Sequence, residues 1–524
     1  MAPSSSIVEQ AGNRQLFQEL SPTLCYALAS IALFAPWIGY YCFDPFGFDT
    51  PIRDTWHHVA VLRELMLSPL TPSNPHIPTE EPSRYYTPIN ILAALLGKAL
   101  NLSPYSLFGY MGAASCIGLI TGCWGFGRHY YGSSWAPLIL LVTLLLAWGL
   151  QRSHVGLHNY ATLITSASYP STTVFAFGFL YWKLALRSVE SSRNKGPNLL
   201  ALALFTAIIL LTHQLSGIIT GAIAGSLVLF NRRADANAKA ITIATMALGS
   251  TLVLAWPYFN ILDVISSVED PRWRTPDIGL DSFPMTLILA APALVGVLGF
   301  RRLNGSYHPE IFIPALIFGS AYIALSLHGS PIAHRIAPAA ILLGHLGLAW
   351  LAIQFFADFK DHPNARTTII VALCLASTMI VFTTGERRIR DIQARASTGA
   401  MRSLALSLAS YMPANSISFA TDNVVYPLQS TGRRVVSIPR PEPTAPSLIE
   451  RQGATDHFFA EETDQQARQR LVRHWNATHA VFVAEDVAPH VARALLSLGH
   501  AKRFSHGVVV VTFDRNVELT EKTR

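Results

Sequence analysis

Apolar residues in this chain come in long unbroken runs, not in the short alternations of a soluble domain. Residues 135–151, 196–230, 240–262 and 311–334 contain no Asp, Glu, Lys or Arg. About 20 apolar residues in a helix cover the ~30 Å hydrocarbon core of a bilayer, so such runs predict transmembrane helices. Eleven spans are expected, at roughly 22–42, 105–126, 134–150, 169–187, 198–213, 215–231, 240–256, 283–300, 311–327, 335–356 and 367–384. The expected fold class is a polytopic α-helical membrane protein.

The pattern changes twice. Residues 43–104 form a large first loop. Thr50-Pro51 is a favourable helix start, and Ile52, Trp56, Val59, Leu62 and Met66 then recur at helical spacing. Asp54, His57 and His58 stand at i, i+3 and i+4 on another face, which predicts an amphipathic helix lying on the membrane surface. "SPLTPSNPHIP" ends it with four prolines, and "YYTPINILAALLGKALNLSP" is a second amphipathic stretch, interfacial or partly inserted. After residue 385, β-like runs ("SISFATD", "RRVVSIP", "HAVFVAED", "GVVVVTFD") alternate with helical ones ("DQQARQRLVRHW", "VAPHVARALLSLG"), which predicts a small α/β domain outside the membrane. The expected division is 1–21 as a cytoplasmic segment, 22–384 as the membrane domain and 385–524 as the α/β domain.

Charge orients the chain. Only 14% of its 524 residues are charged, against about a quarter in a soluble protein. The net charge of +7 does not indicate nucleic acid, because the basic residues sit in short connections. Arg128, Arg187/Arg193/Lys195, Arg232/Arg233/Lys239, Arg301/Arg302 and Lys360/Arg366 fall in alternate loops. With a cytoplasmic N-terminus, all of them land on the cytoplasmic side. The first 21 residues hold a single basic residue, Arg14, so an uncleaved first span is expected in place of a signal peptide. Four of the five cysteines lie within apolar runs and the fifth, Cys42, ends one, which argues against a disulfide framework.

The opposite, extracytoplasmic side collects different chemistry. Asp44, Asp49, Asp54, His57, His58, Arg84, His154, His158, His213, His328, His334 and Arg335 all fall there. Carboxylates beside Pro51 also suit the positive end of a helix. Arg335 has two readings, an arginine reaching for the interface or a cationic seat for phosphate. His213, in "LLTHQLSG", reads most simply as a hydrogen-bonded turn residue. Imidazoles with carboxylates are also the chemistry of a divalent-cation site, such as one for Mg, but no motif of the HExxH kind is present and no cofactor is required.

A first span, an acidic outer loop ("FDTPIRDTWHH"), amphipathic helices, an aromatic "RYYTP", many spans and a terminal α/β domain together resemble the GT-C superfamily of membrane glycosyltransferases. "WPY" at 256–258 and "TGRRVVSIPRP" at 431–441 add to the resemblance without a mechanism of their own. The resemblance implies a sugar donor carried on polyprenyl phosphate and a glycan, lipid or protein acceptor. It implies a base in the first outer loop, Asp54 or Asp49, with inversion at the anomeric carbon. The leaving phosphate would meet Arg335, with His334 and Arg84 as further donors. Asp44, His57, His58, His158 and His213 are candidates for the substrate pocket. Some members use a divalent metal and many do not. Several members carry tandem acids; here the acids stand five apart, which leaves both aspartates open. Two other classes fit the composition: a transporter or flippase for a lipid-linked or polar solute, and a non-catalytic assembly factor for envelope polysaccharide. A transporter would place ionisable groups near mid-span in repeated halves, whereas here they gather at one boundary.

Overall fold

The computed structural model describes residues 21–43, 53–147, 160, 166–190, 195–266, 295–296, 308–330, 332–358, 378–379, 398–439 and 447–514. Of Arg53, Asp54, Lys195, His334 and 398–401 it describes the backbone. In chain order the first helices are α1 (Pro22–Phe43), α2 (Arg53–Leu67), α3 (Pro88–Ala99), α4 (Pro104–Tyr131), α5 (Ala136–Leu146), α6 (Pro170–Glu190) and α7 (Lys195–Thr212). There follow α8 (Gln214–Leu229), α9 (Ala236–Leu252), α10 (Ile261–Ser266), α11 (Pro309–Leu327), α12 (Ala333–Asp358) and α13 (Thr398–Tyr411). The last part holds β1 (Ile417–Ala420), α14 (Asp422–Ser430), β2 (Arg434–Val435), α15 (Leu448–Phe459), α16 (Gln465–His474), β3 (His479–Val483), α17 (Pro489–Leu496), β4 (Gly499–Arg503) and β5 (Val508–Phe513).

These elements form two compact units. The first comprises Met1–Phe43, Gly109–Ala255 and Arg274–Arg390, and the second Asp44–Phe108, Trp256–Trp273 and Asp391–Arg524. The first is helical. Among the described residues, five helices are long and apolar enough to cross a membrane: Pro22–Phe43, Pro104–Tyr131, Ala236–Ala255, Pro309–Leu327 and Arg335–Ala357. Shorter apolar helices stand at Ala136–Leu146, Gly196–Thr212 and Gln214–Leu229. The expected spans at 283–300 and 367–384 lie outside the described residues, apart from 295–296 and 378–379. Small residues allow close approach: a Cβ on Gly249 of α9 would stand 2.4 Å from the Ala203 carbonyl oxygen of α7. Buried hydroxyls pair between helices, Ser115 with Thr173 at 3.0 Å and Tyr181 with Thr206 at 2.9 Å.

The second unit contains a five-stranded sheet in the order β2-β1-β3-β5-β4, parallel across β2, β1 and β3 and antiparallel beyond. "HAVFV" and "VVVVTF" are nearly continuous apolar runs because β3 and β5 are inner strands covered on both faces. Phe419 stacks on Phe458 at 4.1 Å in the core beneath them. The strand β4 was not legible in the sequence. Its "GHAKR" is exposed after Gly499 and carries the charges that protect an open sheet edge from pairing.

Residues 431–434 tie this sheet to the first loop. Gly432 has φ +79°, and a Cβ there would stand 1.5 Å from Nη1 of Arg63 on α2. Gly432→Ala is therefore expected to lose about 1–2 kcal/mol for the left-handed backbone alone, and more for the displaced guanidinium. Thermal unfolding should show the second part restored, and the first not, when Arg63→Ala is added. An unchanged melting temperature in the single variant would refute this account. Arg433 closes the end of α13: Nε donates to the Met412 carbonyl at 3.1 Å, Nη1 to Thr431 O at 2.6 Å, and Nη2 to Met412 O at 2.6 Å and to Ala409 O. Arg433→Met leaves those carbonyls without their charged donor. The expected cost is about 1.5–3 kcal/mol, read as an earlier unfolding transition in denaturant.

Candidate functional site

The helix that carries the acidic motif is α2. It begins at Arg53, so Asp54 lies in its first turn. The expected surface helix proves to be an enclosed one. Thr55 through Leu62 are all buried, with Val59 and Val61 fully so. Both α3 and α14 pack along it, and the proline-rich segment around His76 closes over it. Sequence periodicity marked an apolar stripe but could not show that the polar positions at 57 and 58 are covered as well.

His57 and His58 sit in a cluster of rings. His57 stacks face to face on His76 with centroids 3.6 Å apart and planes 19° apart. His58 stacks on Phe108 at 5.8 Å. Tyr85 packs nearly perpendicular to both imidazoles, at 4.5 Å and 5.4 Å. Arg84 donates from Nη2 to the Tyr85 hydroxyl at 2.9 Å and lies over that ring. Burial holds all three imidazoles in the neutral form, pushing His58 and His76 down to about 3 and His57 well below the usual value. The charge of Arg84 adds to the effect on His57 and His58, while the polar side chain of Gln429 close to the ring opposes it on His76. The in-plane lone pairs of His57 and His76, stacked face to face, cannot converge on one ion. No group of three or more His, Cys, Asp or Glu able to hold a metal occurs among the described residues.

The proline-rich segment is held on several sides. Ser73 Oγ donates to Glu64 Oε1 at 2.7 Å, and Arg434 Nη2 donates to Ser73 Oγ at 2.6 Å. The Tyr86 hydroxyl donates to the Ser73 carbonyl. "WPY" finds its role here: Trp256 Nε1 donates to the Tyr86 carbonyl at 2.9 Å and the Tyr258 hydroxyl to Pro69 O at 3.0 Å. "TGRRVVSIP" finds its role too, since Val435 N–H donates to the His76 carbonyl at 2.9 Å. Both motifs stood out in the sequence, yet neither could be assigned before their partners, far away in the chain, were known.

The other sequence candidates are placed as follows. Asp44, Asp49 and His158 lie outside the described residues. Arg335 and His334 stand in the first turn of α12, with Arg335 partly exposed. His213 caps α8, its Nδ1 accepting from Ser216 N–H at 3.3 Å. Thus His57, His58 and Arg84 come together around Tyr85 in the second unit, while His213, His334 and Arg335 belong to the first. His76, Tyr85, Phe108 and Gln429 were missed. His76 lay in a proline-rich stretch that reads as a breaker and Tyr85 in the aromatic "RYYTP", while Phe108 and Gln429 carried no signal in the sequence.

Neither a protein-family model nor a curated protein sequence matches the chain. Solved structures do match it. ArnT from Cupriavidus metallidurans bound to undecaprenyl phosphate superposes with a TM-score of 0.55 at 13% identity, over 93% of this chain and 98% of that one. The same protein in the apo state gives 0.52 at 12% identity, over 93% and 97%. The resemblance to GT-C enzymes read from the sequence therefore holds for the fold, and the protein is a multi-pass membrane protein with the architecture of ArnT.

Proposed function

We propose that this protein is a glycosyltransferase that moves a sugar from a polyprenyl-phosphate donor to a glycan, lipid or protein acceptor, on the extracytoplasmic face of the cell membrane. The observation that carries the reading is the fold shared with ArnT over nearly the full length of both chains, one ArnT structure being bound to undecaprenyl phosphate. The finer topology belongs to the same reading: about eleven spans, a cytoplasmic N-terminus, and the first loop and the α/β domain on the outer side.

In this reaction the acceptor oxygen forms a bond to the anomeric carbon as the bond from that carbon to the lipid phosphate oxygen breaks. The electron pair leaves with the phosphate, the sugar inverts, and the hydroxyl proton passes to a carboxylate. Asp54, in the first turn of α2, or Asp49 is the base, which must lie within hydrogen-bond reach of the hydroxyl. The departing phosphate gains charge and needs cationic donors. Arg335 offers a planar fork suited to phosphate, and His334 and Arg84 are further candidates for the same role. A divalent ion is an optional contributor of the same charge.

The purified protein in lipid nanodiscs, offered a panel of polyprenyl-phosphate sugars, is expected to release polyprenyl phosphate from at least one donor, with the sugar inverted in the product. Binding of polyprenyl phosphate without release from any donor would overturn the enzyme and favour transport of a lipid-linked solute.

A further inference from the structure

We propose that the C-terminal part of the second unit is a clamp that sets the azimuth of α2, and that Gln429 and Arg434 are positioning residues for the base that α2 carries. This deepens the glycosyltransferase reading and rests on it for its catalytic half only.

On a helix, positions i+3 and i+4 flank position i, about 60° to one side and about 40° to the other. His57 and His58 therefore bracket the azimuth of Asp54 one turn downstream. Each imidazole is enclosed, one stacked at 3.6 Å on His76 and the other at 5.8 Å on Phe108, with Tyr85 packed nearly perpendicular to both. A rotation of α2 by even a fraction of a residue step would drive these rings into their neighbours, because close-packed interiors do not deform continuously.

The rings that hold α2 are themselves held from the far end of the chain. The main chain of His76 accepts from Val435 N–H at 2.9 Å, its ring lies beside the fully buried Gln429 of α14, and α14 packs along α2. Further along the helix, the guanidinium of Arg63 lies against Gly432. At the next residue, Glu64 accepts from Ser73 Oγ, which in turn accepts from Arg434. Three attachments thus grip α2, at positions 57, 63 and 64, and each leads back to residues 429–435. A carboxylate acting as base gains its advantage from placement, and a displacement of about 1 Å costs up to about a hundredfold in rate.

The test uses the full-length protein in nanodiscs with Arg434→Met, Arg434→Lys and Gln429→Leu. Hydrogen exchange is expected to quicken at the amides of residues 55–66 in the Met and Leu variants, with β3 and β5 as protected as in the wild type. Sugar transfer by those two variants is expected to show kcat lowered about ten- to a hundredfold, KM for the donor within about twofold, and substantial recovery in Arg434→Lys. Unchanged exchange across α2 in both variants would overturn the clamp, with or without a functioning assay. Quickened exchange with an intact kcat would overturn the positioning role. A wild-type protein that transfers no sugar refutes the function above, while the exchange data still decide whether the clamp exists.

Discussion

Asp54→Asn is expected to lower sugar transfer by about two to four orders of magnitude, the usual contribution of a positioned general base. The amide keeps the size of the carboxylate and its place in the first turn of α2 but cannot take the acceptor proton. Binding of polyprenyl phosphate should be unaffected, since a carboxylate acting on the acceptor makes no favourable contact with the leaving phosphate. The result separates the two acids. Asp49→Asn is expected to cost far less, because Asp49 precedes the helix that fixes position 54. A large loss in Asp49→Asn and none in Asp54→Asn would transfer the role. Full activity in both variants would end the proposed mechanism. Binding is measured directly by titration with polyprenyl phosphate, so a misfolded variant is recognised by its failure there.

The second large effect is acid loosening of the second unit. Burial keeps His57, His58 and His76 neutral, with His58 and His76 at about 3, and it lowers His479 in β3 to about 4. An unfolded histidine titrates near 6.5, so as pH falls the unfolded chain takes up protons first. The stability tied to these groups is whole above about pH 6.5 and is lost progressively below it. At about pH 4.5 the gap is about two pH units, or about 2.7 kcal/mol for each histidine still neutral in the fold. Tryptophan fluorescence during thermal unfolding should therefore show a steep fall in melting temperature from about pH 7 to about pH 4.5. His58→Phe, which keeps a ring against Phe108, is expected to remove about one histidine's share of that slope. An identical slope in the variant and the wild type would show that His58 is protonated within the fold.

Much of this arrangement was visible in the order of residues. The uncharged runs announced membrane helices, and "HAVFVAED" and "GVVVVTFD" announced strands. His213 read as a turn residue and caps α8. The failures share one cause. The sequence shows which positions along one helix are apolar, but not which elements cover its polar positions. His57 and His58 looked like the open face of a surface helix, yet both are covered by rings from residues 76, 85 and 108. The strand "GHAKR" was hidden for the converse reason: an edge strand needs charge more than it needs a core-facing pattern.

By itself the sequence determined that this is a multi-pass membrane protein with a large acidic first loop and a terminal α/β segment, because hydrophobic length and strand pattern are local properties that a bilayer and a core enforce directly. It also narrowed the candidate base to two acids. Only the tertiary structure decided that residues 429–435 reach back to residues 57–76 to build one unit around α2. Those contacts join positions more than 350 apart in the chain, and they depend on ring stacking, a left-handed glycine and single hydrogen bonds. None of these leaves a periodic trace along the chain.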